Sequence, residues 1–89
     1  SDEVNIQPDG SYLVDGSATV RDVNKEMTWS FPTDGPKTIN GLILEYLEDI
    51  PEANLSVRIS GYPLEIIEVK DNMIKTVRIL PDFYDGINS

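Results

Sequence analysis

The amino-acid sequence predicts a small α+β domain in which an antiparallel β-sheet carries two helices on one face. Three observations lead to this prediction. The chain has 89 residues and no cysteine, so it is long enough for one compact core and has no disulfide bonds. Apolar residues recur at helical period in the middle of the chain and at period two in its last third. Strand and helix segments do not alternate as a parallel sheet requires, and the expected order is β-α-α-β-β-β.

The first strand is expected close to the amino terminus. Two short apolar runs, 4–7 and 11–16, flank a turn segment at 8–10 that contains proline, aspartate and glycine. Such turn residues tolerate the sharp reversal between paired strands. The pattern therefore predicts either a hairpin or a single strand with a tight entry.

A short helix is expected over residues 19–27. Thr19 and Asp22 have the spacing of a capping box, in which the threonine hydroxyl accepts a hydrogen bond from the backbone amide three residues later. The apolar residues at helical spacing are Val20, Val23 and Met27. Residues 28–37 contain two prolines and a glycine and are expected to form a loop whose Trp29 and Phe31 pack on the core.

The strongest helical pattern begins at Thr38, the expected cap, and stops at Pro51. Gly41 interrupts this helix at a cost of about 1 kcal/mol relative to alanine, so we expect its backbone to approach a strand closely. The apolar stripe consists of Ile39, Leu42, Ile43, Tyr46, Leu47 and Ile50.

Three antiparallel strands are expected after this helix. The period changes to two at Leu55, and 61–63 is expected to be a turn. A β-branched segment over 64–70 is followed by the two-residue turn signal at 71–72 and by a third strand over 73–80. The tail from Asp82 to Ser89 is expected either to fray or to dock through its apolar residues on this molecule or on another. These apolar residues are Phe83, Tyr84 and Ile87.

Composition excludes several function classes. The absence of cysteine and histidine removes thiolate nucleophiles, zinc sites and imidazole general bases. The net charge of −9, with only seven lysines and arginines, argues against nucleic-acid binding. No apolar run reaches the roughly 18 residues of a membrane span, and no basic-then-apolar leader is present, so we expect a segment that is not itself inserted in a membrane. No spacing of carboxylates indicates an enzyme.

Carboxylates in turns and in the tail are the candidate metal ligands. Magnesium and calcium take oxygen ligands and need neither histidine nor cysteine. Asp9 and Asp15 each stand directly before a glycine, and Asp82 and Asp85 lie in the tail. No EF-hand loop is present, and no glycine motif for a phosphate group occurs, so flavin or adenine nucleotide is not favoured as a ligand.

Three segments, taken in this order and spacing, resemble the CorC/HlyC transporter-associated domain. They are 9–16, which begins Asp-Gly-Ser-Tyr, 37–51, which contains Thr-Ile-Asn-Gly, and 62–79. Together they divide the chain into an amino-terminal linker or expression remnant with a possible strand (1–8), the domain (9–81) and a tail (82–89). Asn54 stands where the family commonly has glycine, and asparagine also tolerates the left-handed conformation.

The resemblance implies a fold similar to a subdomain of FAD-binding oxidoreductases and gives no catalytic residues. It also implies a parent protein with a transmembrane domain and a cytosolic pair of CBS domains, of the kind described as magnesium and cobalt efflux or hemolysin-like proteins. We therefore expect a non-enzymatic regulatory or interaction domain of an ion transporter, on the cytoplasmic face of the membrane, that forms a homodimer. The alternatives are a magnesium or calcium sensor that uses Asp9, Asp15, Asp82 and Asp85, and a flavin- or adenine-nucleotide-binding module.

Overall fold

A computed structural model describes residues 2–86 as one five-stranded antiparallel sheet with two helices. The elements are β1 (Val4–Ile6), β2 (Tyr12–Asp15), α1 (Val20–Met27), α2 (Ile39–Leu47), β3 (Ser56–Ile59), β4 (Tyr62–Lys70), β5 (Met73–Ile79) and a 3₁₀ helix (Pro81–Phe83). The strand order across the sheet is β1-β2-β5-β4-β3. The predicted α+β class is confirmed. Within residues 2–86, neither helix is long and apolar enough to cross a membrane.

Two strands, and not one, precede the helices. β1 pairs with β2, with Val4 opposite Val14, so the hairpin interpretation is correct and the order that began with a single strand is wrong. The Gln7 N–H donates to the Ser11 carbonyl at 2.8 Å and Gly10 has a φ of 86°. The glycine supplies the positive φ that reverses the chain within this short turn.

Both predicted helix caps are present. Thr19 Oγ1 accepts from the Asp22 N–H at 3.2 Å, and Thr38 Oγ1 accepts from the Gly41 N–H at 3.1 Å. The second helix is shorter than predicted because Glu48, with a φ of 60°, ends it after Leu47. Ile50 therefore lies beyond the helix and is 44% exposed, while Tyr46 is 56% exposed. The prediction that the helix extends to Ile50 was therefore wrong, whereas Tyr46 lies in the helix as predicted but is largely exposed.

Gly41 does approach a neighbour closely, but the neighbour is not a strand. A Cβ at Gly41 would lie 2.9 Å from Pro36 Cβ in the preceding loop. The glycine that approaches a strand is Gly16, where a Cβ would overlap the backbone carbonyl of Ile74 in β5. The close contact between backbone and sheet is therefore made by the loop after β2.

The core lies between the two helices and one face of the sheet. Val14, Val77 and Ile66 stand opposite one another on β2, β5 and β4, and all three are buried. Both helices add apolar side chains to this cluster, so both cover the same face. The buried helical residues are Val20, Val23, Ile39, Leu42 and Ile43.

The loop between the helices packs on this core as predicted. Phe31 is 3% exposed and its ring centroid lies 4.5 Å from that of Tyr62. The Asn24 side chain holds both backbone groups of Phe31, since Asn24 Nδ2 donates to the carbonyl and Asn24 Oδ1 accepts from the N–H. Trp29 is partly buried against the same cluster.

The turn between β3 and β4 falls one residue earlier than predicted. Ser60 and Gly61 have φ values of 52° and 87°, which is typical of a two-residue hairpin turn. Tyr62 and Pro63 already belong to β4, so their assignment to the turn was wrong. The Pro63 carbonyl accepts from the Leu80 N–H at the end of the ladder, where the missing proline N–H removes little pairing. The turn at 71–72 is confirmed, with positive φ at both residues.

The tail docks on its own molecule as far as the structure describes it. The Tyr84 ring lies 4.4 Å from the Tyr62 ring between centroids, and the Asp85 N–H donates to the Gly61 carbonyl at 2.7 Å. Phe83 instead remains exposed. Ile87, the third residue expected to dock, lies outside the described residues.

Candidate interaction surface

The face of the sheet opposite the helices is the candidate functional surface. A row of side chains crosses it from Leu13 through Arg78 and Glu65 to Ser56, because these residues stand opposite one another on β2, β5, β4 and β3. Neither helix covers this row within residues 2–86, since both pack on the other face. We call this surface the open face. Its residues are Leu13, Ser56, Arg58, Pro63, Glu65, Arg78 and Leu80.

Arg78 is the centre of a polar network on the open face. Arg78 Nε donates to Glu65 Oε1 at 3.2 Å, and Arg78 Nη1 donates to Ser11 Oγ at 2.9 Å. Arg78 Nη1 also lies 4.0 Å from Asp9 Oδ2. The guanidinium group is thus fixed by two carboxylates and a hydroxyl, which is how a partly buried arginine is normally satisfied.

Asp9 is held in the same network by Ser11. The Ser11 hydroxyl and the Ser11 N–H both donate to Asp9 Oδ1, at 2.6 and 2.9 Å. The pKa of Asp9 lies below its usual value. The hydrogen bond from the Ser11 side chain is the largest cause and the bond from the Ser11 backbone is the second, because both favour the ionised carboxylate. Asp9 is therefore a carboxylate in the neutral pH range and turns its second oxygen toward Arg78.

Arg58 has a different environment from Arg78. Arg58 Nη1 donates to the carbonyls of Gly61 and Phe83, at 2.8 and 3.0 Å. The ion pairs between described residues all involve Arg78, so no carboxylate of residues 2–86 pairs with Arg58. Its side chain fixes the tail against the hairpin turn.

A shallow groove of about 450 Å³ lies between the two arginines. Pro63 and Leu80 give it an apolar surface, and Ser56 lies at its β3 side. It combines apolar area with fixed charges, a composition common in protein contact surfaces.

The edge of the sheet beside the groove is β3, and among residues 2–86 no strand pairs with its outer side. The Ile66 N–H donates to the Leu55 carbonyl, and bonding toward a neighbouring strand alternates along an antiparallel strand. Val57 and Ile59 therefore bond to β4, while the backbone N–H and C=O groups of Ser56 and Arg58 point away from the sheet. Such unpaired groups are a template for another strand.

The four candidate metal ligands do not come together as one group, although two of them share a cleft. Asp9 and Asp82 line one cleft of about 210 Å³ beside Gly10. Asp15 lies at the far end of β2, opposite Thr76, and Asp85 lies at the β3–β4 turn. Within residues 2–86 no group of three or more side chains is arranged to hold a metal ion.

Arg58, Arg78, Glu65 and Ser56 were not predicted to form one surface. The alternation that places Ser56 and Arg58 on the same side of β3 was visible. The pairing of β4 with β5 and of β5 with β2, which brings Glu65 and Arg78 beside them, depends on long-range register. The sequence signal was a polar residue at every second position of β3, at Ser56 and Arg58, and of β5, at Thr76 and Arg78.

Comparisons with known proteins agree with this architecture. Residues 5–82 match the family model of the CorC_HlyC transporter associated domain. The UPF0053 inner membrane protein YfjD of Escherichia coli is 49% identical over 81 residues, which are 91% of this chain and 19% of YfjD. The chain therefore spans about a fifth of the length of that relative.

Two solved structures show the same fold. A conserved protein from Haemophilus influenzae Rd KW20 has a TM-score of 0.84 at 45% identity, and the match covers 86% of this chain and 95% of that one. A CorC_HlyC domain from a Xylella fastidiosa hemolysin, solved in complex with Mg++ and Mn++, has a TM-score of 0.77 at 19% identity, covering 88% and 95%. On the match to the family model and on this shared fold, the chain belongs to the CorC_HlyC transporter-associated domain family.

Proposed function

We propose that this domain is a non-catalytic contact module that regulates transport by the membrane protein of which it forms a part. The observation that carries the proposal is the open face, which has a groove, an unpaired strand edge and no covering helix within the described residues. The family is described as transporter associated, which agrees with a regulatory role. A relative that is five times longer has further regions that such a face could contact.

The partners follow from the family resemblance. We propose that the open face contacts the CBS-domain pair or the transmembrane domain of the parent protein, on the cytoplasmic face of the membrane. A second copy of this domain is a further candidate, which would make the module a homodimer. Magnesium or cobalt is the proposed transported ion.

A transport measurement tests the regulatory role. Leu13→Arg places a charge on the open face, and Lys25→Glu changes the charge of an exposed residue of α1, away from that face, as the control. We expect Leu13→Arg to change magnesium or cobalt flux through the parent protein by about fivefold or more, the usual size of coupling between sites. The control should leave the flux unchanged. Equal flux in the wild type and Leu13→Arg, at equal protein levels, would contradict the proposal.

Divalent-cation sensing is the second candidate function. The observations that favour it are the shared cleft of Asp9 and Asp82 and the Mg++ and Mn++ complex of the Xylella fastidiosa domain. Hard cations prefer carboxylate oxygens. We propose Asp9 and Asp82 as the primary ligands, with Asp15 and Asp85 as separate, weaker positions.

A titration with magnesium tests the sensor function. The pair Asp9→Asn and Asp82→Asn should abolish saturable amide shifts, and the pair Asp15→Asn and Asp85→Asn, with the same charge change, should keep them. Sodium at matched ionic strength controls for general screening of the net charge of −9. If both double variants respond alike, the site is not at this cleft. Flavin and adenine nucleotide are added last, and saturable shifts with either would favour the nucleotide-binding alternative.

A further inference from the structure

We infer that the open edge of β3 and the adjoining groove bind an extended acidic segment of a partner protein, added to the sheet as a sixth strand. This inference rests on the proposed contact function and specifies the chemistry of the partner. Three features of the described residues support it: free backbone groups, an arginine without a carboxylate partner, and a groove next to both.

The backbone groups of Ser56 and Arg58 provide the pairing. Each residue offers one N–H and one C=O group that point away from β4. An extended segment can use these groups as the next strand does in a sheet, which is the main source of affinity in strand addition. β3 is short, so side-chain contacts must supply the specificity.

Arg58 determines the preferred charge. The neighbouring Arg78 is already paired with Glu65 at 3.2 Å, whereas the hydrogen bonds that Arg58 donates within residues 2–86 go to the backbone carbonyls of Gly61 and Phe83. A strand added to β3 places alternate side chains on the open face beside Arg58, and a carboxylate there forms the missing ion pair. A lysine in the same position would be repelled.

The groove determines the neighbouring position. Ser56 has a small side chain, so a residue opposite it can extend over β3 toward Pro63 and Leu80. An apolar side chain two residues from the acidic one fits this surface, because alternate residues of a strand share a face. The segment is therefore expected to be extended. The residues that face the groove, which are every second residue of the segment, are expected to be acidic and apolar.

The net charge of the chain makes this inference sharply testable. With sixteen acidic and seven basic residues, general electrostatics attracts basic peptides and repels acidic ones. A preference for an acidic peptide must therefore arise locally at Arg58. Long-range attraction would give the opposite preference.

The experiment uses this chain alone. The match covers 95% of the related Haemophilus influenzae chain, so that solved structure contains little more than this domain and shows that such a domain folds without its parent. The probe is a fluorescein-labelled peptide, Thr-Glu-Thr-Val-Thr-Glu-Thr, in which the two glutamates and the valine share one face of an extended strand. Its counterpart has lysine in place of glutamate. Anisotropy gives the affinity and amide shifts give the location. We expect the acidic peptide to bind at least about tenfold more tightly, with shifts at Ser56 and Arg58.

Three variants separate the backbone and charge contributions. Arg58→Glu should reverse the preference toward the lysine peptide, whereas Arg58→Lys should keep it. Ser56→Pro removes an N–H that points away from the sheet, so it should leave the fold intact and abolish binding of both peptides. An acidic peptide methylated at alternate amides tests the same contact without changing the protein.

Equal affinity for the two peptides, stronger binding of the lysine peptide to the wild type, or binding that survives Ser56→Pro in a folded protein would overturn the inference. These results are distinct from failure of the proposed function. If peptides do not bind while Leu13→Arg still alters transport, the contact function stands and only the acidic partner is rejected. If transport is unaffected while the acidic peptide binds as expected, the regulatory role is rejected.

Discussion

Asn40 and Ile74 connect the start of α2 to the middle of the sheet. Asn40 Oδ1 accepts a hydrogen bond of 2.7 Å from the Ile74 N–H, 34 residues later in the chain. The Asn40 N–H in turn donates to the Gly16 carbonyl at 2.8 Å, and Gly16 lies directly against the Ile74 carbonyl. Asn40 of the Thr-Ile-Asn-Gly motif and Gly16, the last residue of the 9–16 segment, thus meet at Ile74 of β5. Both segments that carry the family resemblance therefore have a structural role at this point.

Asn40→Ala is expected to destabilise the domain by about 1–3 kcal/mol, because it leaves the partly buried Ile74 N–H without its acceptor. Urea unfolding followed by circular dichroism measures this loss. Asn5→Ala, which removes an exposed side-chain bond to the Asp2 carbonyl, is the control and should cost less than about 0.5 kcal/mol. Equal losses in the two variants would show that the Asn40 bond does not stabilise the fold.

Gly16→Ala is expected to cost more than about 2 kcal/mol, because the new Cβ would overlap the Ile74 carbonyl and the backbone has to move. The matched control is Gly35→Ala, whose Cβ would meet only the Glu45 carboxylate at an ordinary 3.6 Å. That substitution should stabilise the domain by about 0.4–1 kcal/mol, because alanine lowers the conformational entropy of the unfolded chain. The same unfolding assay compares them, and a tolerated Gly16→Ala would contradict the close contact.

The lowered pKa of Asp9 predicts a loss of stability in acid. A carboxyl group whose pKa is lower in the folded state stabilises the fold above its unfolded pKa of about 3.9, and this contribution disappears as the pH falls through the folded pKa. The difference in unfolding free energy between wild type and Asp9→Asn should therefore shrink below about pH 4.

Ser11→Ala tests the cause of this pKa directly. The Ser11 hydroxyl is the largest contributor to the lowered pKa, so its removal should raise the pKa of Asp9 in a carboxyl NMR titration. The backbone bond from Ser11 remains in this variant, and part of the lowering should persist. An unchanged pKa would assign the effect to another group.

Tyr84→Ala is expected to destabilise the domain by about 0.5–1.5 kcal/mol, the usual contribution of an aromatic pair. The Tyr84 ring lies against the Tyr62 ring, and the centroids of the Tyr62 and Trp29 rings are 5.8 Å apart. The fluorescence of Trp29 should therefore also change. Phe83→Ala, one residue earlier, removes a side chain that is 66% exposed and should have little effect. If the two truncations behave alike, the docked position of Tyr84 does not hold in solution.

Local patterns predicted the elements of this fold better than their contacts. Thr19, Thr38 and the turn at 71–72 follow rules that act within a few residues, and the structure agrees with each prediction. The wrong neighbour predicted for Gly41 and the exposure of Tyr46 have one cause. Periodicity shows which helical residues are apolar, but it does not show which neighbour covers them. Ile50 was misplaced because Glu48 ends α2 in a left-handed conformation without glycine, which no residue preference indicates.

The candidate site was harder to predict than the fold. Aspartates in turns were visible as possible ligands. However, the distance from Asp9 to Asp15 depends on where β2 ends, and the 3₁₀ helix determines how closely Asp82 approaches Asp9. The open face required the order of five strands, in which β5 lies between β2 and β4. Only that order brings Arg78 beside Glu65 and places Arg58 at a free edge.

Amide hydrogen exchange of this chain, measured alone and within its parent membrane protein, tests the contact function most directly. The N–H groups of Ser56 and Arg58 point away from the sheet, so they should exchange rapidly in the isolated domain. If the open face and its edge meet a partner in the parent protein, both amides should become markedly slower there. Exchange that is equally rapid at Ser56 and Arg58 in the two forms would contradict the account.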